Sequence, residues 1–244
     1  MKLETAVILA AGVGSRLRPI TDDRPKALVA VGTETIIGRA CRLLSSHGAE
    51  KLVLATGYRE DSLRRELASF ADRLAFCRND RFDSTQNSVS LALCRPEIGG
   101  AFVKLDGDVV FEPELLERLI ALETDADLVV LVDSKRPRDV EAMKVRLDGE
   151  RVLEFGKGIP LSRAHAETIG VEWLSARGGE RVLSAIDAHV ARGEMGLYYE
   201  DVYSELVADG ALRAIALEVG DLRWTEVDTF EDLELARALV ASGA

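Results

Sequence analysis

The run Leu9-Ala10-Ala11-Gly12-Val13-Gly14-Ser15-Arg16-Leu17-Arg18-Pro19 sets two glycines and a guanidinium directly after an apolar segment. Glycines let the backbone approach a ligand closely and offer bare N–H groups to phosphate oxygens. Arg16 and, a little further on, Lys26 would add a forked and a point-like cation, a combination suited to a triphosphate. With seven lysines against 24 arginines in the chain, composition alone would have put arginine at position 26. A solvated basic loop is the plainer alternative. The loop is not a Walker A, because no Gly-Lys-Ser/Thr follows its second glycine. It is not a dinucleotide fingerprint either, because Leu17 stands at the third glycine's place and Ala55-Thr56-Gly57 where an acidic residue is wanted.

Carboxylates recur at two other places. Lys104-Leu105-Asp106-Gly107-Asp108 closes an apolar run, and Trp224-Thr225-Glu226-Val227-Asp228-Thr229 closes another, with Thr229 and Asp232 at capping-box spacing. Mg²⁺ takes one or two carboxylates together with phosphate oxygens and water, so aspartates from two strand ends would be adequate. Turn and cap roles would explain either aspartate alone. Asn87 and Ser90 carry groups that pair with a pyrimidine edge or, equally, cap the helix that follows them. Lys157 follows Phe155-Gly156 and could hold a phosphate or phosphonate, while Glu200, Asp201, Trp224 and Glu226 would favour a cationic head group. Tyr199, Val202, Tyr203 and Leu206 fall at helical spacing and read partly as core, which leaves Glu200 and Asp201 outside it. His47, His165 and His189 stand in no catalytic context.

These groups need elements to position them. Short apolar runs alternate with helical-period segments: strand Thr5–Ala10, helix around Ile36–Leu44, strand Lys51–Ala55, helix Leu63–Phe70 and strand Leu74–Cys77. Helix Ser88–Leu93, strand Ala101–Leu105, helix Leu115–Ile120 and strand Leu128–Val132 continue the series. Asp148-Gly149 then joins Lys144–Leu147 and Arg151–Phe155 as a hairpin. Helices Arg181–Val190 and Tyr199–Ala208, strands Leu212–Leu217 and Arg223–Val227, and helix Phe230–Val240 complete the reading. The pattern predicts an α/β fold with a mixed, mostly parallel central sheet flanked by helices. We read 1–244 as a single domain: a nucleotide-binding part over about 1–135, an acceptor-binding part over about 136–228 and a C-terminal helix over 229–241.

Composition removes several classes. With 47% hydrophobic residues, 20 glycines and 6 prolines, the chain is neither disordered nor collagen-like. A net charge of −11 opposes diffuse binding to nucleic acid or to an anionic membrane, so a bound anion must be held locally. No apolar stretch approaches the roughly 18–20 residues that span a bilayer, and the first residues lack a signal-peptide pattern, so a cytoplasmic location is expected. Cys41, Cys77 and Cys94 are odd in number and widely spaced, and read as small buried hydrophobes.

The run LAAGVGSRLRPITDDRPKALVAVG closely resembles the signature of nucleotidyltransferases that join a nucleoside triphosphate to a sugar phosphate or phosphoalcohol. That resemblance implies a Rossmann-like nucleotidyltransferase fold in which Leu9, Ala10, Ala11, Gly12, Gly14 and Ser15 cradle the nucleotide. It implies that Arg16 and Lys26 neutralise the triphosphate and the leaving pyrophosphate, and that Asp108 and Asp228 hold Mg²⁺. Asp106 is a secondary candidate, placed to touch ribose or metal-bound water. The segment Asn79-Asp80-Arg81-Phe82 to Asn87-Ser88-Val89-Ser90-Leu91 is similar to the cytidylyltransferases that act on phosphocholine, related phosphoalcohols or phosphonates. Lys157 and the Tyr198–Tyr203 stretch support the same subfamily. The likeness runs from Leu3 to about Leu239 and departs at Val31–Ile36, where the family has Lys-Pro-Leu-Ile.

The activity this implies is transfer of CMP from CTP to a phosphoalcohol or phosphonate such as phosphocholine, phosphoethanolamine, 2-aminoethylphosphonate or inositol phosphate. Two alternatives stay open, a sugar-1-phosphate uridylyl- or thymidylyltransferase and a non-catalytic nucleotide-binding regulatory domain. Expected partners are CTP and a small phosphorylated acceptor, without nucleic acid or membrane, and homodimerisation stays open.

Overall fold

The computed structural model describes residues 1–243. Its first strand, β1 (Thr5–Leu9), leads through the glycine loop to a short hairpin, β2 (Ala30–Val31) and β3 (Glu34–Thr35), and then to α1 (Ile36–Ser46). Thr35 caps α1, its hydroxyl accepting from Gly38 N at 3.1 Å. Next come β4 (Lys51–Thr56), α2 (Glu60–Glu66), β5 (Leu74–Arg78), α3 (Asn87–Leu93), β6 (Phe102–Asp106) and β7 (Val109–Phe111). They are followed by α4 (Glu114–Ala121), β8 (Leu128–Asp133), the hairpin β9 (Lys144–Asp148) and β10 (Arg151–Gly156), and β11 (Ala166–Leu174). The chain closes with α5 (Ala176–Ala191), α6 (Tyr199–Ala208), β12 (Ala214–Glu218), β13 (Trp224–Glu226) and α7 (Phe230–Ala241).

Nine strands form one sheet in the order β5-β4-β1-β6-β11-β8-β12-β10-β9. The β5-β4-β1-β6 half is parallel, as the alternating strand and helix pattern predicts, and β12 is parallel to β8. Only β11 and β10 run against the rest, so the expected mixed, mostly parallel sheet is the one observed. Two apolar layers cover its faces, one around α1 and α4 and the other around α5 and α6. Among the described residues no helix is long and apolar enough to cross a membrane.

The sequence reading misses β11, although this strand lies between β6 and β8 and joins the two halves of the sheet. Two acidic residues, Glu167 and Glu172, interrupt its apolar pattern, and its register against β8 shifts between Thr168 and Glu172. The irregularity contains Gly170 at φ +75°, a left-handed conformation that glycine adopts at little cost. A Cβ there would lie 2.7 Å from Asp106 Oδ2, so the glycine also leaves room for that carboxylate.

Register determines where the chemistry collects. Leu9 pairs with Ala55 on one side and Asp106 on the other, so the glycine loop and the Asp106–Asp108 turn leave the same sheet edge side by side. Gly107 N donates to Leu9 O at 2.9 Å, and a Cβ on Gly107 would come within 2.7 Å of that oxygen. β13 does not join the large sheet; it pairs antiparallel with β7, setting Glu226 against Val109, and Val227 N donates to Asp108 O at 2.9 Å. The C-terminal acidic segment is thereby carried to the glycine loop.

Candidate active site

The loop after β1 is tied down at its second glycine. Gly14 sits at φ +74°, and a Cβ on it would meet Lys26 Cβ at 2.6 Å, so its bareness lets Lys26 pack against the loop. The buried Thr21 hydroxyl donates to Gly14 O at 2.7 Å. Gly12 has open space around it, while Ser15 and Arg16 are exposed where the loop continues into a single helical turn. Leu9, Ala10, Ala11 and Gly12 all line cavities opening at this edge.

Lys26 lies between the two aspartates that the sequence assigns to a metal, its ammonium 2.5 Å from Asp108 Oδ2 and 2.6 Å from Asp228 Oδ1. Burial acts to lower the Lys26 pKa, but Asp108 and Asp228 outweigh it and hold the ammonium well above its ordinary value. Arg16 Nη2 donates to the other oxygen of Asp228 at 2.7 Å. Asp228 is held by the start of α7, where Asp232 Oδ2 accepts from Asp228 N at 3.2 Å and Thr229 N at 2.8 Å, and Thr229 Oγ1 accepts from Asp232 N at 3.2 Å.

A third carboxylate joins them. Asp108, Glu226 and Asp228 each offer an oxygen within 4.8 Å of the others. Glu226, expected from the sequence on the acceptor's side, borders the Lys157-bearing cavity and also stands with these two aspartates. Alternation along β13 explains the placement: Trp224, Glu226 and Asp228 share a face, so the spacing Glu-x-Asp already carried the signal. Crowding of the carboxyl by surrounding protein first, then Asp108 and Asp228, raise the Glu226 pKa, although the residue as a whole is exposed. Asp108 Oδ1 is buried with no hydrogen-bond partner among the described residues. An all-oxygen donor set with one orphaned oxygen suits a hard divalent cation such as Mg²⁺.

Beside this cluster is a cavity of about 260 Å³, bordered by Leu9, Ala11, Gly12, Phe82, Asn87, Ser90, Asp106 and Asp108. Asn87 and Ser90 thus both face the space beside the glycine loop. Neither caps α3, whose N-cap is Gln86. Asn87 Oδ1 accepts from Tyr199 N at 3.1 Å, so its oxygen is already engaged where the residue borders the cavity. Buried Asn79 shapes the loop before it, donating to Thr85 Oγ1 at 2.9 Å and Ser90 Oγ at 3.0 Å and accepting from Arg81 N at 2.9 Å.

Asp106 divides this cavity from a second one, of about 150 Å³, that Lys157, Tyr198, Glu200 and Trp224 line. Its Oδ2 accepts from Tyr199 OH at 2.7 Å and its Oδ1 from Lys104 Nζ at 3.1 Å. Lys104 is fully buried and also reaches Glu172 at 3.2 Å and the Tyr199 hydroxyl. Burial would lower its pKa, yet Asp106, Glu172 and Glu200 keep it raised. The sequence reading passed over Lys104 and Glu172, for which a charge inside the apolar run Phe102–Leu105 was the available signal. Lys157 Nζ sits 4.8 Å from the Tyr198 ring centroid and 3.9 Å from Glu141 Oε2. Trp224 donates its indole N–H to Asp133 Oδ2 at 2.8 Å and has the Arg136 guanidinium 4.9 Å from its ring centroid.

Two acceptor-side expectations need correction. Asp201 borders neither cavity; it is the third helical residue of α6, and its Oδ2 accepts from Tyr198 N at 2.8 Å. Glu200 does not stand outside the core but is buried with Tyr199, Val202 and Tyr203. Its Oε2 has no hydrogen-bond partner among the described residues.

The MobA-like NTP transferase domain family is matched over residues 6–206. The chain belongs to that family. A bifunctional IPC transferase and DIPP synthase of Rubrobacter xylanophilus is 32% identical over 98% of this chain and 52% of its own, so the chain spans about half the length of that relative. A choline-phosphate cytidylyltransferase of Streptococcus pneumoniae is 27% identical over 93% of this chain and 94% of its own. The solved inositol-1-phosphate CTP transferase from T. maritima superposes with a TM-score of 0.85 at 22% identity, covering 100% of this chain and 98% of that one. The resemblance carried by the glycine loop therefore holds, and the nucleotidyltransferase fold expected from it is the fold of this NTP transferase family member.

Proposed function

We propose that the protein is a Mg²⁺-dependent cytidylyltransferase that transfers CMP from CTP to an oxygen of a small phosphate- or phosphonate-bearing acceptor and releases pyrophosphate. The single observation that carries this reading is convergence at one sheet edge. The glycine loop, Lys26 and Arg16 meet Asp108, Glu226 and Asp228 beside a cavity faced by Asn87 and Ser90, with a second, Lys157-bearing cavity across Asp106. Relatives named for CTP-dependent transfer support the choice of nucleotide.

In this mechanism the backbone at Leu9–Gly14 receives the nucleotide phosphates, and the amide of Asn87 and hydroxyl of Ser90 read the base edge. An acceptor oxygen attacks the α-phosphorus of CTP. A new P–O bond forms as the bond from the α-phosphorus to its bridging oxygen breaks, and the electron pair leaves with pyrophosphate. A phosphomonoester with a second pKa near 6 is mostly dianionic at pH 7, so a general base is unnecessary. Lys26 and Arg16 offset the negative charge on the departing pyrophosphate, and Lys157 orients the acceptor's phosphoryl end. Asp108, Glu226 and Asp228 would hold Mg²⁺, which supplies charge neutralisation at phosphate oxygens. Positioning and electrostatics thus carry the rate.

The test is pyrophosphate release from CTP, ATP, GTP, UTP and dTTP, each with a panel of phosphorylated acceptors and Mg²⁺. The reading expects CTP to be preferred and turnover to require an acceptor. Preference for UTP or dTTP with a sugar 1-phosphate would replace it, and nucleotide binding without turnover by any pair would remove it.

A further inference from the structure

The Lys157-bearing cavity is lined by acids as well as by that lysine. Two of the carboxyl groups on its wall, Glu200 and Glu167, are 4% and 8% exposed. Glu200 Oε2 has no hydrogen-bond partner among the described residues, and Arg136 approaches Glu167 only to 4.0 Å. A carboxylate taken out of water costs several kcal/mol unless a cation or donors compensate it. Burial accordingly drives Glu167 up to about 7 and Glu200 up to about 8, with Arg136 and Lys104 acting in the opposite sense. Glu200 therefore has an oxygen without a hydrogen-bond donor among the described residues, Glu167 has only the long contact to Arg136, and both border a space that a ligand can enter.

The kind of cation follows from what else is there. A quaternary ammonium has no N–H to give and is held best by open aromatic faces. Here the Trp224 ring already carries Arg136 and the Tyr198 ring already carries Lys157. A primary ammonium brings donors as well as charge, which is what an orphaned carboxylate oxygen needs. A neutral polyol would satisfy hydrogen bonds but leave the buried acids without a counter-charge. Lys157, on the same cavity, provides the cation for an anionic end of the same small molecule.

Building on the cytidylyltransferase reading, we infer that the acceptor is a short aminoalkyl phosphate or aminoalkyl phosphonate, its ammonium group received by Glu200 and Glu167 and its phosphoryl group by Lys157. Glu200 and Glu167 then determine specificity, replacing the Glu200, Asp201 and Glu226 grouping expected from sequence.

The experiment measures pyrophosphate release by the full chain with CTP and Mg²⁺ against phosphoethanolamine, 2-aminoethylphosphonate, phosphocholine and inositol phosphate. At least one primary amine should exceed both phosphocholine and inositol phosphate by about tenfold or more in kcat/KM. Glu200→Gln should raise KM for that amine by about tenfold or more, the range of a lost charged hydrogen bond, while KM for CTP stays within about twofold. It should also shrink the ratio of amine to phosphocholine turnover, a change that general loosening would not produce. Should Glu200→Gln fail to fold by circular dichroism, Glu167→Gln carries the same expectation, and the wild-type ranking decides independently of either variant. Faster turnover of phosphocholine or inositol phosphate overturns the amine inference and leaves the cytidylyltransferase reading standing. No turnover with any acceptor overturns both. The relative rates of the phosphate and phosphonate amines distinguish those two sources.

Discussion

Lys26 bridges Asp108 and Asp228 at 2.5 and 2.6 Å, and in the proposed reaction its ammonium balances charge as pyrophosphate leaves. Lys26→Ala should lower kcat at least about a hundredfold, comparable to removing one electrostatic donor, with the circular dichroism spectrum unchanged. Activity within threefold of wild type would remove the role given to Lys26. The three acids make a separate prediction. Asp108→Asn, Glu226→Gln and Asp228→Asn should each shift the Mg²⁺ titration of activity to concentrations about tenfold higher or more, and a chelator should silence the wild type. Unaltered titrations in all three would mean that the metal is held by other residues. Glu226 is the instructive member of the set. Its company with Asp228 is legible from two-residue alternation, and it borders the Lys157-bearing cavity beside Trp224 as well. Asp201 was misread: its partner is the backbone N–H of Tyr198, and a capping arrangement that begins at tyrosine lacks the Ser/Thr that marks one in sequence.

At the scale of elements, the parallel half of the sheet was legible because each strand there is a short apolar run followed by a helical period. β11 was not. Its two acidic residues are inside, Glu172 matched to Lys104 across the sheet, and its alternation breaks at Gly170. A pairing between buried charges on distant segments leaves no local trace in the sequence. That irregularity has a consequence for the site, because Gly170 at φ +75° leaves the room that Asp106 Oδ2 occupies, and Asp106 cannot move freely while Lys104 and Tyr199 hold it. Gly170→Ala should therefore destabilise the fold by about 1–3 kcal/mol in chemical denaturation and depress kcat/KM together with it. A variant of wild-type stability and activity would show that Asp106 has slack. The start of α7 acts similarly on Asp228: Thr229→Ala removes half of a capping box at a cost of about 1 kcal/mol and should raise the Mg²⁺ requirement without abolishing turnover.

Across the whole molecule, β11 and α6 store buried acids whose ionisation opposes folding. Glu172 is pushed up to about 7 and Glu200 up to about 8, chiefly by burial. Raised carboxyl pKa values mean that the folded state binds more protons than the unfolded one, so this contribution to stability is full below the ordinary carboxyl value of 4.5 and is lost progressively until pH has passed about 7 to 8. Unfolding free energy of the ligand-free protein should fall over that window, and Glu200→Gln should flatten the fall by on the order of 1 kcal/mol. Parallel curves for the two proteins would mean that Glu200 is not titrating in this range. The central claim, however, concerns the catalytic edge, where the glycine loop from one end of the chain meets the acidic β13–α7 junction from the other. It is tested most directly by phosphorus NMR of one reaction containing the full chain, CTP, Mg²⁺ and phosphoethanolamine. The account predicts that pyrophosphate and a CMP-linked diphosphate diester appear in equal amounts. Persistence of CTP and phosphoethanolamine unchanged, followed by the same result with every other phosphorylated or phosphonate acceptor, would contradict it.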